Sequence, residues 1–83
     1  MTPPDWLKLH DGSLRQGLSE HIVFVVLGER PEYRLDVRPA GGQYVCNVTQ
    51  TVNGHRFDDT AKFTTNAAAL SGGLEKLRLH LGW

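Results

Sequence analysis

The sequence predicts an α+β domain: a four-stranded antiparallel meander packed by one C-terminal helix, with an N-terminal β-hairpin or short helix. Two turn signals, Asn53-Gly54 and Pro39-Ala-Gly-Gly42, separate segments whose apolar residues alternate and fall on one face. A third observation is the leucine periodicity after Thr65, which repeats at helical spacing.

The N-terminal segment carries Trp6, Leu7, Leu9, Leu14 and Leu18. Asp11-Gly12 suits a two-residue hairpin loop, with Leu9 facing Leu14. A short helix capped by Thr2, with Pro3 at its first position and Asp5 three residues after the cap, is the rival.

Residues 22–27, Ile-Val-Phe-Val-Val-Leu, are β-branched and aromatic and read as a strand. With Gly28-Glu-Arg-Pro31 as its turn, Ile22, Phe24 and Val26 join the core face. Val23, Val25 and Leu27 then fall on the opposite face and need a cover.

Strands at about 33–38, 43–52 and 55–63 follow. A loop over 39–42 places Val37 opposite Tyr44 and Leu35 opposite Cys46. A two-residue loop at Asn53-Gly54 places Gln50 opposite Phe57 and Tyr44 opposite Phe63. The apolar sets of the three strands coincide without adjustment, which a register error of one residue would destroy. Asp59 falls on the core face, an inconsistency that a bulge or the strand's end would relieve.

The helix spans about 65–81, capped by Thr64 or Thr65. Ala67, Leu70, Leu74, Leu77 and Leu81 make its stripe. Gly72 and Gly73 cost about 1 kcal/mol each relative to alanine, which a close approach to the sheet would justify. Leu79 and Trp83 lie off the stripe.

Composition bounds the function. Eighty-three residues with 40% hydrophobic content fit one small domain spanning 1–83. Nine basic and nine acidic residues give zero net charge, so nucleic acid is a partner only through a local patch. One cysteine, Cys46, excludes an internal disulfide and thiolate-rich metal sites, and it suits a reducing compartment. No signal-peptide pattern opens the chain, and its longest apolar run has six residues, far short of the ~20 that span a bilayer. A cytoplasmic location without membrane contact is the expectation.

No catalytic or cofactor motif emerges. His10, His21, His55 and His80 lack ligand spacing, so no metal and no cofactor is expected. Cys46 falls on the core face as a structural thiol. Asp58 and Asp59 diverge if they lie on a regular strand, and so make no acid/base pair.

Two surfaces remain. Arg34, Arg38, Asn47, Arg56 and Lys62 share the polar sheet face. Trp6, Val23, Val25, Leu27, Leu79 and Trp83 form a candidate apolar contact surface. A small non-catalytic interaction module is therefore expected, acting through a protein partner or as a homodimer. Nucleic-acid binding on the polar face is the alternative, although Tyr33, Tyr44, Phe57 and Phe63 all point to the core.

Pro31-Glu-Tyr33, Tyr44-Val45, Val52-Asn-Gly54 and the Ala-rich helix faintly resemble the β-β-β-α part of a double-stranded-RNA-binding domain, over about 31–81. That family's basic Lys-Lys-x-Ala-Lys run is matched here by Thr64-Thr65-Asn66-Ala67-Ala68, without charge. Its first helix would fall on 22–27. The resemblance therefore implies a layout and not an RNA site.

Overall fold

The computed structural model describes residues 2–57 and 61–83. Their elements run α1 (Asp5–Lys8), β1 (Gly12–Gln16), β2 (Ile22–Leu27), β3 (Arg30–Ala40), β4 (Gln43–Gln50), β5 (Arg56–Phe57) and α2 (Asn66–Leu81). The strands form one antiparallel sheet in chain order, β1-β2-β3-β4-β5, with α2 against β3 and β4. The α+β meander with one long helix is present, with a fifth strand added at its start.

Of the two expectations for the N-terminal segment, the short helix is present and the Asp11-Gly12 hairpin is not; the strand that follows, β1, joins the sheet through β2. Pro4, not Thr2, precedes the helix, which is a single turn. Leu9 does not face Leu14: it is 83% exposed, and β1 pairs with β2 instead, Leu14 opposite Val25. Asp11 turns the chain between α1 and β1 with φ of 58°.

The face assigned to β2 is corrected. A two-residue turn at Gly28-Glu29 pairs Leu27 with Arg30 and Val26 with Pro31. A bulge then leaves Glu32 without a register partner, so Val25 meets Tyr33, Phe24 meets Arg34 and Val23 meets Leu35. The pairing differs by one residue from that expected, and one residue exchanges the faces. Val23 and Val25 are therefore buried at 3% and 0% exposure, and Leu27 packs on the core. Ile22, Phe24 and Val26 take the opposite side. Residues 22–27, where the RNA-binding layout needs a helix, form this strand.

The other two hairpins slide by two residues and keep their faces. Gly41 and Gly42, with φ of 58° and 83°, make the β3–β4 turn and pair Ala40 with Gln43 and Val37 with Cys46. Beyond β4, Asn53 Oδ1 accepts from the His55 amide at 2.8 Å, and the Gly54 amide donates to the Gln50 carbonyl at 2.9 Å. The loop is thus four residues long, and Phe57 lies opposite Val48 rather than Gln50. The strand expected over 55–63 is described only at Arg56–Phe57 and at an isolated Tyr44–Phe63 bridge. Asp58 and Asp59 lie outside the described residues.

Thr65 caps α2: its Oγ1 accepts from the Ala68 amide at 3.0 Å. Gly82, with φ of 76°, ends the helix, and the Trp83 amide reaches back to the Arg78 carbonyl at 3.1 Å. The buried stripe is Ala69, Gly73, Leu74 and Leu77, with Leu70 and Leu81 half-buried and Ala67 exposed. Both helix glycines answer to packing. A Cβ on Gly73 would overlap Cys46 Sγ, and one on Gly72 would overlap the Phe63 ring. Leu7, Val25, Leu35, Val48 and Leu77 are the largest fully buried side chains, each contributing about 1.5–3 kcal/mol.

Candidate functional site

α2 covers one side of the sheet, and no helix packs on the other side among the described residues. The bulge at Glu32 decides what stands there. Arg15 of β1 is opposite Phe24 of β2, Phe24 opposite Arg34 of β3, Arg34 opposite Thr49 of β4, and Thr49 opposite Arg56 of β5. These five residues form one row across all five strands, about 19 Å long at the usual strand spacing. The Arg15 guanidinium carbon lies 6.0 Å from the centroid of the Phe24 ring, within cation–π range. A depression of about 290 Å³ opens beside the row, lined by Phe24, Arg34, Thr49, Gln50, Thr51 and Gly54.

The next row holds Ile22, Asp36 and Asn47. Asp36 is 7% exposed and accepts two hydrogen bonds from Arg38, Nε to Oδ1 and Nη2 to Oδ2, both 3.0 Å. The hydrogen bonds and the carboxylate's charge push the Arg38 pKa up, so this cation is held in its pair. Arg15, Arg34 and Arg56 form no ion pair with any described residue. The two rows and Arg38 together carry four arginines and one aspartate. A chain of zero net charge therefore presents a local positive surplus.

Of the polar residues named from sequence, Arg34, Arg38, Asn47 and Arg56 stand on this face. Lys62 is exposed but outside the paired rows. Arg15 and Phe24 are site residues that the sequence reading missed. Pro31 was the available signal: a proline offers no N–H to a ladder, so it marks an irregular strand entry.

The apolar candidates do not form one surface. Val23 and Val25 are core. Trp6 and Trp83 pack on each other, ring centroids 6.2 Å apart at 56°. Leu79 stays 68% exposed on α2. Leu9 and Leu18 are exposed at the two ends of β1, an edge strand of the sheet.

Among the described residues, no group of three or more His, Cys, Asp or Glu side chains could hold a metal, and no histidine hydrogen-bonds a carboxylate. His10 stacks on Trp83, and His80 lies 4.3 Å from the Phe57 ring. Glu20 and His21 line an open cleft of about 350 Å³ with Val37 and Leu70. Cys46 is 4% exposed. Among the described residues, no helix is long and apolar enough to cross a membrane. Comparison with protein families, curated proteins and solved structures finds no match to this chain.

Proposed function

We propose that this protein is a non-catalytic binding module that engages an anionic partner through the open face of its sheet. The carrying observation is the row Arg15–Phe24–Arg34–Thr49–Arg56, whose three arginines have no carboxylate partner among the described residues. A guanidinium left unpaired on a sheet is free to trade water for phosphate, sulfate or carboxylate oxygens, and three in line give a ligand polarity and register. A single, buried cysteine suits a reducing compartment such as the cytoplasm.

The test is binding to heparin, a sulfated polyanion without bases, between ~50 and ~200 mM salt. Affinity should fall steeply with salt. The Arg34→Ala, Arg56→Ala double variant should bind more weakly and with a shallower salt slope, while Lys8→Ala, on α1, should change little. Equal binding by the double variant and the parent would overturn the reading.

Self-association is a second reading, and one observation favours it. β1 is an edge strand, and exposed Leu9 and Leu18 flank it. Antiparallel pairing of β1 with a second copy would satisfy the edge and cover those leucines. Light scattering across concentration should then show a mass twice that of the chain, abolished by Leu9→Lys with Leu18→Lys. A monomer at every concentration removes it.

A further inference from the structure

We infer that the anionic partner is a single-stranded nucleic acid, with an unpaired base laid on Phe24 and the adjoining phosphates held by Arg15, Arg34 and Arg56. This rests on the reading of the open face as an anion-binding surface, and it names the ligand.

The argument begins with the order of groups along the row. A ring stands between two guanidinium groups, Arg15 on β1 and Arg34 on β3, each one strand away; Arg15 lies over the ring at 6.0 Å, and the stacked base takes that place as the arginine swings to the phosphate. Every nucleobase has a π-face, so a base accepts stacking on such a ring whatever its identity. The linkages on either side of that base then fall toward cations. Guanidinium groups are themselves planar and stack on bases as well as pairing with phosphate. The rest of the surface supplies polar edges at the right place. Thr49 lines the depression beside Phe24, and Asn47 is two residues along β4 on the same face. Their hydroxyl and amide groups can meet the hydrogen-bonding edges of an unpaired base.

Competing occupants use less of this arrangement. A duplex keeps its base faces stacked inside, so Phe24 would have nothing to receive. An acidic peptide would satisfy the arginines but leave the ring unused. Electrostatics then give affinity without sequence preference, as expected where stacking and phosphate contacts dominate.

The experiment is a fluorescence-anisotropy titration of the full chain with four labelled probes of similar charge. They are a short oligothymidylate, an abasic strand of the same length, a duplex and polyglutamate. Oligothymidylate should bind about 5- to 150-fold more tightly than the abasic strand, the range expected for one stacked base. Phe24→Leu, which keeps bulk but removes the π-face, should erase that preference. Phe24→Tyr should keep it, which separates lost stacking from lost folding. If the abasic strand, the duplex or polyglutamate binds as well as oligothymidylate, the single-strand inference is overturned while the anion-binding face stands. If neither heparin nor any of these probes binds, both readings fall together.

Discussion

The imidazole of His10 lies flat on the indole of Trp83, with ring centroids 3.8 Å apart and planes 6° from parallel. Trp6 closes the group from the side. The turn that follows α1 is thereby fastened to the end of α2.

Trp83→Ala should cost about 1–2 kcal/mol in urea unfolding, below the ~3–5 kcal/mol typical of fully buried aromatics because the indole is only half-buried. Trp6→Ala should cost a similar amount. The double variant should cost less than the two together, by about 0.5–1.5 kcal/mol, if the rings stabilise each other. Strict additivity would show that each packs on the core independently.

Gly73→Ala should reverse the usual sign of a helical Gly→Ala change. Alanine ordinarily stabilises an exposed helix position by about 1 kcal/mol. Here the added methyl meets Cys46 Sγ, so a loss of about 1–3 kcal/mol is expected. Cys46→Ala in the same chain should recover part of it. Thermal melts of the parent and the two variants decide the matter, and a raised Tm for Gly73→Ala alone would refute the close packing.

Alkaline stability should depend on Tyr33. Its ring is 7% exposed, and burial first, then the charge of Glu32, pushes the phenol pKa above 10.0. The unfolded chain thus releases this proton at a lower pH than the folded one. The contribution is whole below pH 10.0 and is lost as pH rises from there through the folded-state pKa. Tyr33→Phe should flatten that part of the stability profile, measured by urea midpoints on either side of it. An unchanged profile would show that Tyr33 ionises alike in both states.

Asp36→Asn should strengthen polyanion binding. The variant removes the one carboxylate of the two rows and loosens Arg38 from its bidentate pair. The dependence of log affinity on log salt should steepen by up to about 0.7 if Arg38 then meets one more phosphate of a single strand. Weaker binding would mean that the Asp36–Arg38 pair shapes the face rather than masking it.

How far the sequence could be read follows from register arithmetic. The β3–β4 and β4–β5 hairpins were each misjudged by two residues, and Val37, Cys46, Val48 and Phe57 still landed in the core because side chains repeat every two residues. At β2 the difference was one residue, set by the bulge at Glu32, and every side chain changed sides. Alternation protects a strand from such an error, but residues 22–27 are apolar throughout and carry no such mark. The same slip hid Phe24, and Arg15 escaped notice because the Asp11-Gly12 hairpin pairs its strand with the segment around Leu9 rather than with β2. Arg34, Arg38, Asn47 and Arg56 were legible because their own strands alternate cleanly.

The order of the strands also bears on how the chain acquires its structure. Every strand pairs with its neighbour in sequence, and short turns join β2 to β3 and β3 to β4. Zipping from those two hairpins encloses only small loops, which keeps the entropy of closure low and favours rapid assembly. The contact between Trp6 and Trp83 is different, since it brings together residues from opposite ends of the sequence. It is expected to form after the sheet and α2 have docked, and so to be weak or absent in the folding transition state. Substitutions there should then speed unfolding while leaving the refolding rate nearly unchanged.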